Sequence, residues 1–167
     1  MKIIQDILPI RTMVSKDWKQ IHEGFVITSS TDWHIPKENK FSEQIIGYLL
    51  NTQLQLVDYA KYDEFCFDVM LRIQPPIFYH PKGIKIITEY GETWIRLEVY
   101  MPNTQCFAQV DKHEALRMIA QLLLDSVPKY LFDRDDFDGK KFYEDILPIV
   151  QPIANGTRTF REEEFPL

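Results

Sequence analysis

Hydrophobic and polar residues alternate most clearly over Glu64–Gln74, where Phe65, Phe67, Val69, Leu71 and Ile73 interleave with Cys66, Asp68, Met70 and Arg72. A period of two belongs to a strand with one buried face. Phe25–Thr28 reads as an earlier strand, and Ile84–Tyr90 and Thr93–Met101 follow, joined through Gly91-Glu92 as a hairpin. Along 93–101, Ile95, Leu97, Val99 and Met101 point one way, and Trp94, Arg96, Glu98 and Tyr100 the other. A short strand over 105–110 completes the set. Elsewhere the spacing changes to three and four. Ile45, Ile46, Leu49 and Leu50 predict a helix over 42–51 capped by Ser42. Ala115, Met118, Ile119, Leu122 and Leu123 predict another over 111–126, opened by the capping box Asp111-Lys112-His113-Glu114. A third, over 139–147, has Phe142 with Ile146 and Tyr143 with Leu147 one turn apart, and is expected to end at Pro148. Residues 16–23 read as a short helix between Ser15 and Gly24.

Strands in the middle and helices towards both ends predict an α+β domain over 1–152 with a largely antiparallel central sheet. Residues 153–167 are expected to be an arm, either mobile or strapped onto the body. The pentapeptide Asp6-Ile7-Leu8-Pro9-Ile10 recurs as Asp145-Ile146-Leu147-Pro148-Ile149. Nothing around it repeats, so it reads as chance and not as a duplicated unit.

Composition adds exclusions. The chain has 167 residues, of which 45% are hydrophobic and 26% charged, the profile of a soluble globule. At that length about 70% of the unfolded surface is buried on folding, enough for a core without staples. Six glycines leave little for a phosphate loop, and neither the P-loop nor the dinucleotide fingerprint occurs. The net charge is −6 and the isoelectric point near 5.2. Without clustered Lys and Arg, nucleic acid is not an expected partner, and neither is an anionic membrane. Asp6 and Pro9 interrupt what a signal peptide would need as its apolar core, and no apolar run is long enough to span a bilayer. Cys66 and Cys106 stand 40 positions apart and read as reduced, buried thiols. Together these predict a soluble cytoplasmic protein.

Catalytic and metal chemistry finds little support. His22, His34, His80 and His113 stand singly, without a second histidine at zinc spacing. His80, in a loop bracketed by Pro75-Pro76 and Pro81, is the one histidine placed for acid–base work. There is no nucleophile elbow and no activated-cysteine context. The acidic run Asp133-Arg134-Asp135-Asp136-Phe137-Asp138-Gly139 invites a calcium reading. With Gly139 at loop position six, Arg134 occupies position one. With Asp133 at one, Phe137 and Asp138 fall at five and six. Neither register supplies the ligands. No catalytic residue, cofactor or metal is therefore expected.

Three surfaces remain as candidates for binding a partner. In the acidic run, Asp138 suits the cap of the following helix, but capping needs only one of Asp133, Asp135, Asp136 and Asp138. The others could receive Lys or Arg from a partner. The run also concentrates charge, because residues 111–167 hold 12 acids and 8 bases against 13 and 11 in residues 1–110. The row Trp94, Arg96, Glu98 and Tyr100 has the residue types of interface hot spots if its face is exposed, and is a mixed second core if that face is covered. Tyr59, Tyr62, Asp63 and Glu64 form a weaker third patch.

The C-terminal order resembles small bacterial immunity proteins of polymorphic-toxin and contact-dependent inhibition systems. It consists of a strand, then Glu114-Ala115-Leu116-Arg117-Met118-Ile119-Ala120-Gln121-Leu122-Leu123-Leu124, then Asp136-Phe137-Asp138 before Phe142-Tyr143-Glu144-Asp145-Ile146. The resemblance covers roughly residues 84–147 and is one of pattern, without a diagnostic motif. It implies a cytosolic, non-enzymatic protein that binds one cognate toxin domain, commonly a basic nuclease, and blocks it. The acidic run would then be the natural contact. The alternatives are a small α+β enzyme or ligand carrier with a pocket between sheet and helix, and an assembly protein marked by a stable homo-oligomer.

Overall fold

In the computed structural model, residues 24–31, 43–71, 83–101 and 110–165 are described. Strand β1 (Gly24–Thr31) leads through helix α1 (Glu43–Gln53) to β2 (Glu64–Leu71). The hairpin β3 (Gly83–Glu89) and β4 (Glu92–Tyr100) follows, then α2 (Lys112–Leu131) and α3 (Gly139–Ala154). The α+β class stands. The predicted short helix over 16–23, most of the strand over 105–110, His80 and Cys106 lie outside the described residues.

The expectation of a largely antiparallel sheet is corrected. The order is β1-β2-β4-β3, with β1–β2 and β2–β4 parallel and only β3–β4 antiparallel. Strands close in sequence invite a hairpin reading, but α1 stands between β1 and β2, and a helical crossover returns the chain in its original direction. β3 then takes the edge and leaves β4 to pair with β2. The hairpin itself turns at Tyr90 and Gly91, whose φ values of 51° and 79° are the left-handed pair that a tight two-residue turn requires.

The period of two sorts the sheet into unlike faces. Phe25, Phe65, Phe67, Ile95 and Leu97 point to the helices and are fully enclosed or nearly so. α2 meets them with Leu116, Ile119, Leu123 and Val127; Met118 and Leu122, predicted in its apolar stripe, are only half-buried. Asp111 caps α2 by accepting from Glu114 N at 2.9 Å, while the Glu114 carboxylate takes Arg117 at 3.0 Å and does not close the box. The outer edge of β1 is held at one point by α1. Asn51 Oδ1 accepts from Phe25 N and Asn51 Nδ2 donates to Phe25 O, both at 2.8 Å, as a neighbouring strand would.

α3 does not stop at Pro148 but continues through it and Pro152 to Ala154. Ile149, Val150 and Ile153 are buried there, so packing outweighs the lost backbone bonds. Beyond α3 the chain packs back onto the body. Phe160 and Phe165 belong to the core, and Glu162 reaches both Lys112 and His113 at the start of α2. Among the described residues no helix is long and apolar enough to cross a membrane.

Candidate functional site

The acidic run follows α2 and is drawn onto the segment before β2. Phe137 forms a bridge with Ala60, and Asp138 N donates to Tyr59 O at 2.9 Å. The anchor is apolar: Phe137 sits among Tyr59, Phe65 and Phe142, with ring centroids 5.4 to 6.4 Å away. Phe25 stacks on Phe142 at 5.5 Å, so rings fill the space between sheet and helices at this end. Tyr59 turns its hydroxyl to Asp145 Oδ2 at 2.7 Å. Gly139 is forced by space alone, since a Cβ there would stand 2.4 Å from the Leu131 carbonyl oxygen.

The four aspartates then divide. Asp138 caps α3, accepting from Lys141 N at 3.2 Å. Asp136 is gripped by Arg134 at 2.7 and 2.6 Å and by the Tyr62 hydroxyl at 2.6 Å. The Arg134 fork, with help from Tyr62, holds the Asp136 carboxyl down to about 2. Asp133 and Asp135 are exposed and, unlike the exposed cap Asp138, have no hydrogen bond or ion pair with a described residue. Between the two segments opens a cleft of about 740 Å³, whose lining includes Val57, Asp58, Lys61, Tyr62, Phe132 and Asp135. Val57 is 71% exposed at its margin. Thus the structure joins two patches that the sequence shows separately, the acidic run and Tyr59-Tyr62, and adds Val57, Asp58 and Lys61, which no sequence pattern marks.

The β4 row lies elsewhere. Trp94, Arg96, Glu98 and Tyr100 point to the sheet face away from the ring cluster and have no described contact with the acidic run. Glu98 is buried, and Trp94, Arg96 and Tyr100 are half-buried. Parallel register sets Glu98 beside Asp68, Arg96 beside Cys66 and Trp94 beside Glu64. Lys85 Nζ meets Glu98 Oε1 at 2.7 Å, and Thr28 Oγ1 donates to Asp68 Oδ1 at 3.3 Å. The row is therefore part of a covered, mixed second layer. Burial pushes the Cys66 thiol up to about 11, far from a reactive thiolate. Burial likewise lifts Glu64 to about 7; Arg96 opposes the shift and Glu92 adds to it. Among the described residues no three His, Cys, Asp or Glu side chains are grouped to hold a metal ion.

Comparison of the chain with protein-family models, with curated proteins and with solved structures finds no match. What the site can do is read from its own geometry.

Proposed function

We propose that the protein is a non-enzymatic binding protein that takes a basic segment of a protein partner into the cleft between residues 57–62 and 132–140. The observation that carries this reading is the division of labour within the acidic run. Phe137, Asp136 and Asp138 fix the loop, while Asp135, which lines the cleft with Asp58, and the neighbouring Asp133 stay exposed with no hydrogen bond or ion pair to a described residue. A rigid loop presenting free carboxylates loses little order on binding, and its charges speed encounter with a cationic surface. Exposed Val57 and half-buried Tyr62 and Phe132 supply the apolar contact that such an interface needs. The rings packed between sheet and helices also favour recognition at the surface over a small-molecule pocket in that layer. In keeping with the resemblance of residues 84–147, the partner we propose is a cognate toxin domain, and the protein its cytoplasmic immunity factor.

The test is calorimetric titration of the full chain against the product of the neighbouring open reading frame, at low and high salt. Affinity should fall as salt rises. The triple variant Asp58→Asn, Asp133→Asn, Asp135→Asn should bind roughly tenfold more weakly or worse, with unchanged thermal stability. Asp136 is left intact because its loss would release Arg134 and Tyr62. Binding indifferent to both salt and the triple variant would remove the cleft from the account.

A further inference from the structure

Strand β3 is the outermost strand on its side of the sheet, and its outer edge pairs with no described strand. Such an edge presents backbone N–H and C=O groups ready to pair. Beside it Ile86 is 46% exposed and Tyr90, at the turn, 99%. Lys85 and Glu89 lie two positions to either side of Ile87 and share its face, since they pair with Arg96 and Glu92 of β4. Within one copy Glu89 thus faces Glu92, an unfavourable like-charge pair, and it has no ion pair with a described residue. Lys85 holds Glu98 yet leaves 51% of its side chain exposed.

A twofold axis normal to the sheet pairs two copies of one strand antiparallel and keeps each face continuous, so only residues of the same face come opposite each other. With the axis at Ile87, Lys85 of each copy comes opposite Glu89 of the other. The seam then carries the row Glu92, Glu89, Lys85, Arg96, with Glu98 reaching Lys85 diagonally; in it the unpaired acid gains its cation and the half-exposed cation, set in register beside Arg96, gains a second acid. The same register brings Ile86 opposite Thr88 and Ile84 opposite the turn residue Tyr90. We propose that the chain forms a homodimer by antiparallel pairing of β3 with β3 of a second copy, in register about Ile87. An edge lysine ordinarily discourages strand addition. Here it discourages foreign strands that lack an acid at the matching place, and admits its own copy, which carries Glu89 there.

The experiment is sedimentation equilibrium on the full chain over a wide concentration range. The expected result is a reversible monomer–dimer equilibrium. Lys85→Glu and Glu89→Lys each place like charges at both seam positions, so each should raise the dimer Kd roughly tenfold or more. Mixed in equal amounts, the two variants restore both attractions and should form a heterodimer with near wild-type affinity. Glu89 is exposed, so Glu89→Lys should keep the native circular dichroism. Should Lys85→Glu, which also loses the Glu98 pair, fail to fold, Glu89→Lys against wild type decides alone. A monomer at every concentration overturns the proposal, even if the edge then captures a foreign strand. A dimer indifferent to Glu89→Lys, or two folded variants that do not pair on mixing, overturns it equally. Binding of a basic partner at the cleft is independent of all these outcomes.

Discussion

Two carboxylates, Glu64 and Asp136, are placed in opposite electrostatic circumstances, and each leaves its own mark on stability. Glu64 stands at the start of β2 where burial disfavours its charge, so the folded chain binds its proton more tightly than the unfolded chain, with a pKa near 7 against an ordinary 4.5. Its contribution is therefore greatest below pH 4.5 and is lost as pH rises towards 7. Asp136 is the reverse. Arg134 and Tyr62 favour its charged form, so its contribution is present above 3.8 and is lost as pH falls towards 2. Urea midpoints measured from acid to neutral pH should accordingly rise, peak near pH 4, and decline. Glu64→Gln should make only the neutral limb shallower, to which buried Glu164 also contributes, and Asp136→Asn only the acid limb, to which Glu162 also contributes. A Glu64→Gln profile parallel to wild type would contradict the assignment. Neither shift is legible in the sequence. The Asp136 fork joins residues two apart in an irregular loop, and Glu64 reads as an ordinary strand end until β4 is laid beside it.

Elements were legible where one local rule acts alone. The alternation over Glu64–Leu71 and the Asp111 cap needed no tertiary knowledge, and both stand where local chemistry places them. Strand pairing failed to follow because it depends on which element intervenes, and the significance of α1 between β1 and β2 is topological. α3 failed at its end for a related reason: Pro148 is a stop signal that the buried Ile149, Val150 and Ile153 override. The override leaves a residual cost that can be recovered. Pro148 is exposed, so Pro148→Ala removes no packing and restores an N–H to the helix. Proline costs about 3 kcal/mol in a helix interior relative to alanine, partly offset by the greater freedom alanine has when unfolded. A net gain of about 1–2 kcal/mol in urea unfolding is expected, with an unchanged fold. A loss would show that the proline sets a bend on which the α2–α3 packing depends.

At the scale of the whole molecule, the segment after α3 closes the structure, and nothing in its composition announces that. Residues 155–165 are polar except for two phenylalanines, yet both phenylalanines are in the core and Glu164 is completely buried. The segment is tied to the start of α2. Phe165 packs edge-on to His113 at 4.7 Å, Lys112 lies 5.0 Å above its ring, and Glu162 pairs with both basic residues. Glu164 Oε1 meanwhile accepts from Arg161 N at 2.9 Å and fixes the last turn. The pairs of Glu162, whose side chain is 69% exposed, contribute little, while each ring, truncated to alanine, should cost about 3–5 kcal/mol. Phe160→Ala and Phe165→Ala should therefore each lower the urea midpoint sharply, and Glu162→Ala hardly at all. Removing residues 157–167 should leave the cleft residues chemically intact but expose the α2 side of the core, giving dye binding and faster amide exchange along α2. If the truncated chain instead kept native exchange protection in α2, the segment would be an appendage and the core would close without it. Because α2 also leads directly into the loop bearing Asp133 and Asp135, the same truncation should weaken partner binding in proportion to the lost protection. That proportionality separates a structural strap from a direct contact, for which affinity would fall while α2 stayed protected.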